Sequence, residues 1–235
     1  MRKIPLIVFA TTITIYVATW FTSYRSLLPG YHYFFYTSAK YNALQKQIKS
    51  ENIFLANHAS DNKSRNLFYK NLENCFGNTL LPYWLGTRWN FYGTTQIPGE
   101  GTIACGYFVT TFLKHTGAEI NRSHLAQLPS EQMIIELVDT KSIYHYNKHV
   151  FSAFIESLKS NGNGIYVIGL DNHTGFIEVS DNVYFIHSSG RFPFCVIKEL
   201  ASKSIVLKKS KYKVVGKLTG DDKFISYYTK KALHN

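Results

Sequence analysis

Ala104-Cys105-Gly106-Tyr107-Phe108-Val109 and, further along, His173-Thr174-Gly175-Phe176-Ile177 with Ile186-His187-Ser188-Ser189 are the stretches on which the fold turns. Cys105 follows a loop rich in glycine and threonine, residues 93–101, and opens an apolar run, Phe108, Val109, Phe112 and Leu113, at helical spacing. The thiol is therefore expected at a helix N-terminus, where the macrodipole and free backbone amides favour thiolate. His173 begins a run of strand character over 174–179, and His187 ends the next over 183–186, with Ser180-Asp181-Asn182 as turn residues between them. Both histidines then lie at neighbouring strand ends of one hairpin. A cysteine nucleophile needs a base, and the base needs a third group to fix its tautomer and orientation; Cys105, His173 and His187 fit these roles.

Outward from this core, helices are expected over 62–75, ended by Gly77 and Asn78, over 130–138, and over 149–159, ended by Asn161-Gly162-Asn163-Gly164. A strand over 165–170 starts the sheet that the histidine strands continue, and the tail offers a strand over 212–218 and a short helix from Asp222. Helices first and antiparallel strands after is an α+β order. No repeat or low-complexity tract divides the chain.

The same residues carry a resemblance. The chain resembles the NlpC family of cell-wall cysteine peptidases, whose members have Asp-Cys-Ser-Gly-Phe-Val at a helix start, His-Val-Gly-Ile on a strand and Ile-His-Ala-Ser on the next. The matching stretches are 104–109, 173–176 and 186–189, and Leu81-Pro82-Tyr83-Trp84-Leu85-Gly86 looks like the family's Pro-Tyr-x-Trp-Gly approach segment. Order and spacing agree over residues 80–190. Ala104 stands where the family has Asp, and Tyr107 where it has a small residue. The resemblance implies a papain-like fold, helices packed on an antiparallel sheet, with Cys105 as nucleophile, His173 as base and His187 as orienting group. It places Tyr83 near the thiol, where its hydroxyl would help the oxyanion site, together with backbone amides at the helix start at Gly106. Trp84 belongs with Tyr83, Trp89, Phe91 and Tyr92 to an aromatic cluster that is either core or the wall of a substrate groove.

The N-terminus speaks to location. Arg2 and Lys3 precede an uncharged stretch over 4–24 of bilayer-spanning length, closed by Arg25, and the flanking aromatics leave a poor cleavage site. An uncleaved signal anchor over 1–24, a stalk or extension over 25–60 and a catalytic domain over 61–235 are expected, with the catalytic domain exported. Without a cysteine just after the apolar run, a lipoprotein form is not expected.

The formal net charge is +11, and residues 198–235 carry ten lysines against Glu199, Asp221 and Asp222. Such a surface attracts anionic polymers; with an export signal, these are envelope lipids and wall polymers rather than nucleic acid. Three cysteines do not make a disulfide scaffold, though Cys75 and Cys195 would be able to pair in an oxidising compartment, which leaves Cys105 as the free thiol. The nine histidines show no metal spacing, so no metal or cofactor is expected. Three sequons occur, at Asn62, Asn121 and Asn172, and the last would place a glycan beside His173 in a eukaryotic secretory route, so the sequence fits a bacterial exported protein better.

These features lead to an envelope-anchored cysteine amidohydrolase acting on peptidoglycan stem peptides. Two alternatives stand beside it: a binding module of the same fold that holds wall material without cutting it, and a cysteine amidase or acyltransferase with a non-wall substrate.

Overall fold

A computed structural model describes residues 14–15, 38–146 and 150–229. The segment read as a signal anchor lies outside the described residues apart from Thr14 and Ile15, and among the described residues no helix is long and apolar enough to cross a membrane.

Two long helices come first. Helix α1 (Ser38–Asn57) buries Tyr41, Ile48, Asn52, Leu55 and Ala56, and α2 (Asn62–Gly77) buries Phe68, Tyr69, Leu72, Cys75 and Phe76. Asp61 caps α2 by accepting from the N–H groups of Lys63 and Ser64. Part of the stretch read as a stalk is thus a helix packed on the domain.

A single turn, α3 (Leu81–Trp84), leads to strand β1 (Arg88–Trp89), which pairs in parallel with β2 (Thr102–Ile103). There follow α4 (Cys105–His115), α5 (Arg122–Gln127) and α6 (Ser130–Leu137). Next come β3 (Ile143–His145), α7 (Phe151–Ser160), β4 (Gly164–Leu170), β5 (Thr174–Val179), β6 (Val183–Ser188) and β7 (Val196–Leu200). Helix α8 (Ile205–Lys209), β8 (Lys213–Lys217) and α9 (Asp222–Ser226) complete the described chain. The main sheet has six strands in the order β3-β8-β4-β5-β6-β7, every neighbouring pair antiparallel. The architecture is α+β, as expected.

Both faces of this sheet are covered, and β4 is buried at every residue. That explains the unbroken apolar run of its sequence, since a strand covered on both sides has no polar face to show. One face carries Ile165, Val167, Phe176, Ile186, Val196 and Val214 against α1, α2, α4 and α6. The other carries Tyr166, Ile168, Ile177, Phe185 and Val215 against Phe154 and Leu158 of α7. Phe176 stands at the centre of the first face, with Phe76 at 4.7 Å, Phe112 at 5.8 Å and Phe108 at 5.9 Å between ring centroids. Aromatic pairs of this kind add about 0.5–1.5 kcal/mol each beyond the area they bury, so α4 is held firmly on the sheet. That helix begins with Cys105.

Candidate active site

The start of α4 is fixed by backbone contacts. Ala104 is its N-cap in extended conformation without a side-chain cap, and its N–H donates to Gly93 O at 2.8 Å. A Cβ at Gly93 would fall 2.5 Å from Ile103 N, so the glycine of the preceding loop is required for the close approach. Gly106 has a similar cause: a Cβ there would meet Ala126 O at 2.5 Å, where α5 packs across the first turn. Its N–H and that of Cys105 lie against the Cys105 sulfur, as does the N–H of Thr174.

The sheet brings His173 to this point. His173 immediately precedes β5, and His187 lies in β6 opposite Ile197 of β7. Nε2 of His173 and Nδ1 of His187 are 2.7 Å apart. Phe185 stacks flat on His187 at 4.0 Å and meets the His173 ring edge-on at 6.1 Å, which locks both imidazoles in place. Gly175 permits this packing, because a Cβ there would lie 2.7 Å from Ile186 O and 2.8 Å from both His187 Cβ and the Phe185 ring. The glycine between His173 and Phe176 therefore answers a steric demand of the packed His187 and Phe185 side chains.

Cys105 and His173 line two cavities in common. The smaller, about 230 Å³, has a mixed wall, with Leu128, Met133 and Leu170 beside Ser130, Asp171 and Asn172. The larger, about 520 Å³, is walled by Trp89, Phe91, Tyr107, Gln127, Asn172 and Arg191. Cys105 and His173 thus sit where a small cavity of mixed polarity meets an aromatic cleft that Arg191 also lines. Tyr107, the departure from the small residue of the resembled motif, is a cleft wall: the Arg122 guanidinium lies over its ring at 4.7 Å, and its hydroxyl accepts from Gln127 Nε2 at 3.2 Å.

Burial sets the electrostatics. It pushes the Cys105 thiol above its ordinary value, against the lowering effect of the Thr174, Gly106 and Cys105 amides. The helix-start environment expected to favour thiolate is outweighed by desolvation. Burial likewise holds His173 down to about 3, reinforced by His187, so its imidazole is neutral at ordinary pH. His187 is also lowered by burial, against the opposing pull of Glu199. The two cavities are thus lined by a thiol and a neutral imidazole rather than by a thiolate and an imidazolium.

Trp84 and Tyr83 take other places. The Trp84 side chain is fully buried, its Nε1–H donating to Tyr41 Oη at 2.8 Å, with Phe108 and His115 around its ring. Its assignment to substrate binding is corrected: it is a core residue. Tyr83 is half-buried, packs its ring on Tyr41 at 5.1 Å and does not line the two cavities that Cys105 and His173 share. Both were drawn in by an aromatic cluster that the fold splits, sending Tyr83 and Trp84 inward while Trp89 and Phe91 face the cleft.

All three cysteines are free. Cys75 and Cys195 are buried, and burial pushes both thiols up to about 12, so neither offers a thiolate. Cys105 is the partly exposed one.

One carboxylate beside the two histidines escaped the sequence reading. Glu199 of β7 places Oε1 3.3 Å from His187 Nε2. It lies twelve positions after His187 in sequence, and the register pairs it with Phe185, two residues from His187 and therefore on the same face of the sheet. Its only sequence signal is a carboxylate on a strand adjoining the histidine hairpin.

No family model, no curated protein and no solved structure matches this chain.

Proposed function

We propose that the protein is a cysteine hydrolase of papain-like fold that cleaves an amide bond through Cys105, His173 and His187. The observation that supports this above the others is the pairing of a partly exposed thiol at a helix start with a neutral, doubly anchored imidazole on one cavity wall. Neither a buried structural cysteine nor an isolated histidine needs such a setting.

In the reaction, His173 Nδ1 takes the Sγ proton as sulfur attacks the amide carbonyl and an S–C bond forms. The N–H groups of Cys105 and Gly106 hold the oxyanion. As the C–N bond breaks, His173 returns the proton to the leaving amine. A water deprotonated by His173 then attacks the thioester, the S–C bond breaks, and the proton goes back to sulfur. Neutral His173 suits this order, since a protonated imidazole cannot accept.

By the resemblance of residues 80–190 to NlpC peptidases, the substrate is the peptide stem of peptidoglycan. The aromatic cleft and Arg191 suit a sugar-bearing, carboxylate-rich ligand. With residues 1–24 as anchor and the lysine-rich tail against anionic polymers, the site of action is the outer side of a bacterial inner membrane.

Digestion of purified peptidoglycan by the full chain tests this, with products read by mass spectrometry. Wild type is expected to release new muropeptides, and Cys105→Ala and His173→Ala to lose turnover by at least about 10³-fold with the fold intact. Full activity in either variant overturns the assignment. An intact wall with every form, wild type included, overturns the wall substrate.

A further inference from the structure

Two ring nitrogens of a neutral imidazole cannot both donate, and a chain of two imidazoles has two possible directions. Either His173 donates from Nε2 to His187 Nδ1, leaving its own Nδ1 bare, or His187 donates and His173 presents Nδ1–H to the cleft. Only the first direction gives a base. The 2.7 Å contact between His173 and His187 is compatible with both.

Glu199 decides between them. Its Oε1 lies 3.3 Å from His187 Nε2, the far end of the chain. His187 is fully buried, and the carboxylate is mostly so, its side chain 23% exposed. Burial raises this carboxyl, but hydrogen bonds from His187 and the Ser204 hydroxyl outweigh it, and the net shift is downward. An ionised carboxylate only accepts, so His187 must carry its proton on Nε2 and offer Nδ1 as an acceptor. His173 must then donate from Nε2. Its Nδ1, which has no hydrogen-bond partner among the described residues, remains a lone pair on the wall shared with Cys105.

Resting on the cysteine-hydrolase reading, we infer that Glu199 is a positioning residue that sets the direction of the Glu199–His187–His173 chain and so keeps His173 in the tautomer able to deprotonate Cys105. No proton reaches Glu199 at any step. When His173 becomes imidazolium, its Nε2–H still points to His187, and the carboxylate lies beyond as the counter-charge.

Glu199→Gln separates direction from packing. The amide fills nearly the same space and keeps a hydrogen bond, but its NH₂ can donate to His187 Nε2 and reverse the chain. A structural role would be rescued by glutamine, whereas a directional role would not. The experiment is ¹⁵N NMR of the full chain labelled at histidine, with His173 and His187 assigned by single variants, alongside turnover of peptidoglycan.

In wild type, His173 is expected protonated on Nε2 and bare on Nδ1. In Glu199→Gln the Nδ1–H form of His173 should appear, with kcat falling on the order of 10²-fold or more and KM little changed. A wild-type His173 protonated on Nδ1 overturns the inference whether or not the variant folds. So do unchanged tautomers in Glu199→Gln, or unchanged kcat in that variant while Cys105→Ala is dead. If instead wild type leaves the wall intact while the tautomers switch as expected, the directional role stands and the wall-hydrolase reading falls.

Discussion

At Gly175 a single hydrogen side chain is what lets β6, with His187, lie close against β5. Replacement by Ala would put a methyl 2.7 Å from Ile186 O and 2.8 Å from His187 Cβ, contacts that β6 can relieve only by moving. Gly175→Ala is expected to cost about 1–3 kcal/mol in urea unfolding, with a larger proportional loss of turnover because His187 moves with β6. Activity unchanged in a destabilised protein would show that the relay tolerates the shift. At this scale the placing of Cys105 at a helix start and of His173 and His187 at neighbouring strand ends was legible, because turn and boundary residues mark those positions. Trp84 was not, since an aromatic side chain reads alike in a core and in a groove wall. Nor was Glu199, which stands in a lysine-rich stretch where an acidic residue passes for a counter-charge.

Among the elements, α1 shows how a helix can hide. Its buried positions Tyr41, Ile48 and Leu55 recur every seven residues, with Asn52 also inward, a seam too narrow for the broad apolar stripe that betrays a surface helix. What anchors it is partly polar. Tyr41 Oη accepts from Trp84 Nε1 and contacts His115 Nδ1 at 2.7 Å, while Asn52 Nδ2 donates to Thr116 O at 2.8 Å. Tyr41→Phe would strand two buried polar groups, on Trp84 and His115, and is expected to cost about 1–3 kcal/mol. Urea unfolding of the full chain checks this; a loss below a few tenths of a kcal/mol would mean that the network relaxes or takes in water. The helices at 62–77 and 130–137 and strands β4 to β6 and β8 were legible within a few residues, having strong periodicity, caps or turns. Strands β1 and β2, two residues each, are defined by pairing rather than by any local pattern.

For the whole molecule, the buried histidines set the response to acid. Burial holds His115 down to about 4 and His173 to about 3, and lowers His187 as well. All three bind protons less readily in the folded chain than in the unfolded one. Their contribution is therefore complete above about pH 6.5 and is lost as pH falls, at up to about 1.4 kcal/mol per pH unit for each. The urea midpoint should hold from pH 8 to 7 and drop steadily below 6, and a midpoint flat to pH 4.5 would contradict the burial of these rings. The α+β order itself was readable from helices preceding an apolar hairpin. The two-sided cover of the sheet was foreshadowed by the seven-residue run of β4, whose lack of alternation leaves no side for solvent.

Ser188 bears on how such a scaffold could change. Its hydroxyl donates to Ile103 O at 2.7 Å, a buried bond between the residue after His187 and the strand that ends two residues before Cys105. This clasp joins the segments that carry Cys105 and His187 through the interior, without passing through Trp89, Phe91, Tyr107 or Arg191. The walls of the cleft can accordingly be rebuilt for a different ligand while the spacing between sulfur and imidazole is inherited unchanged.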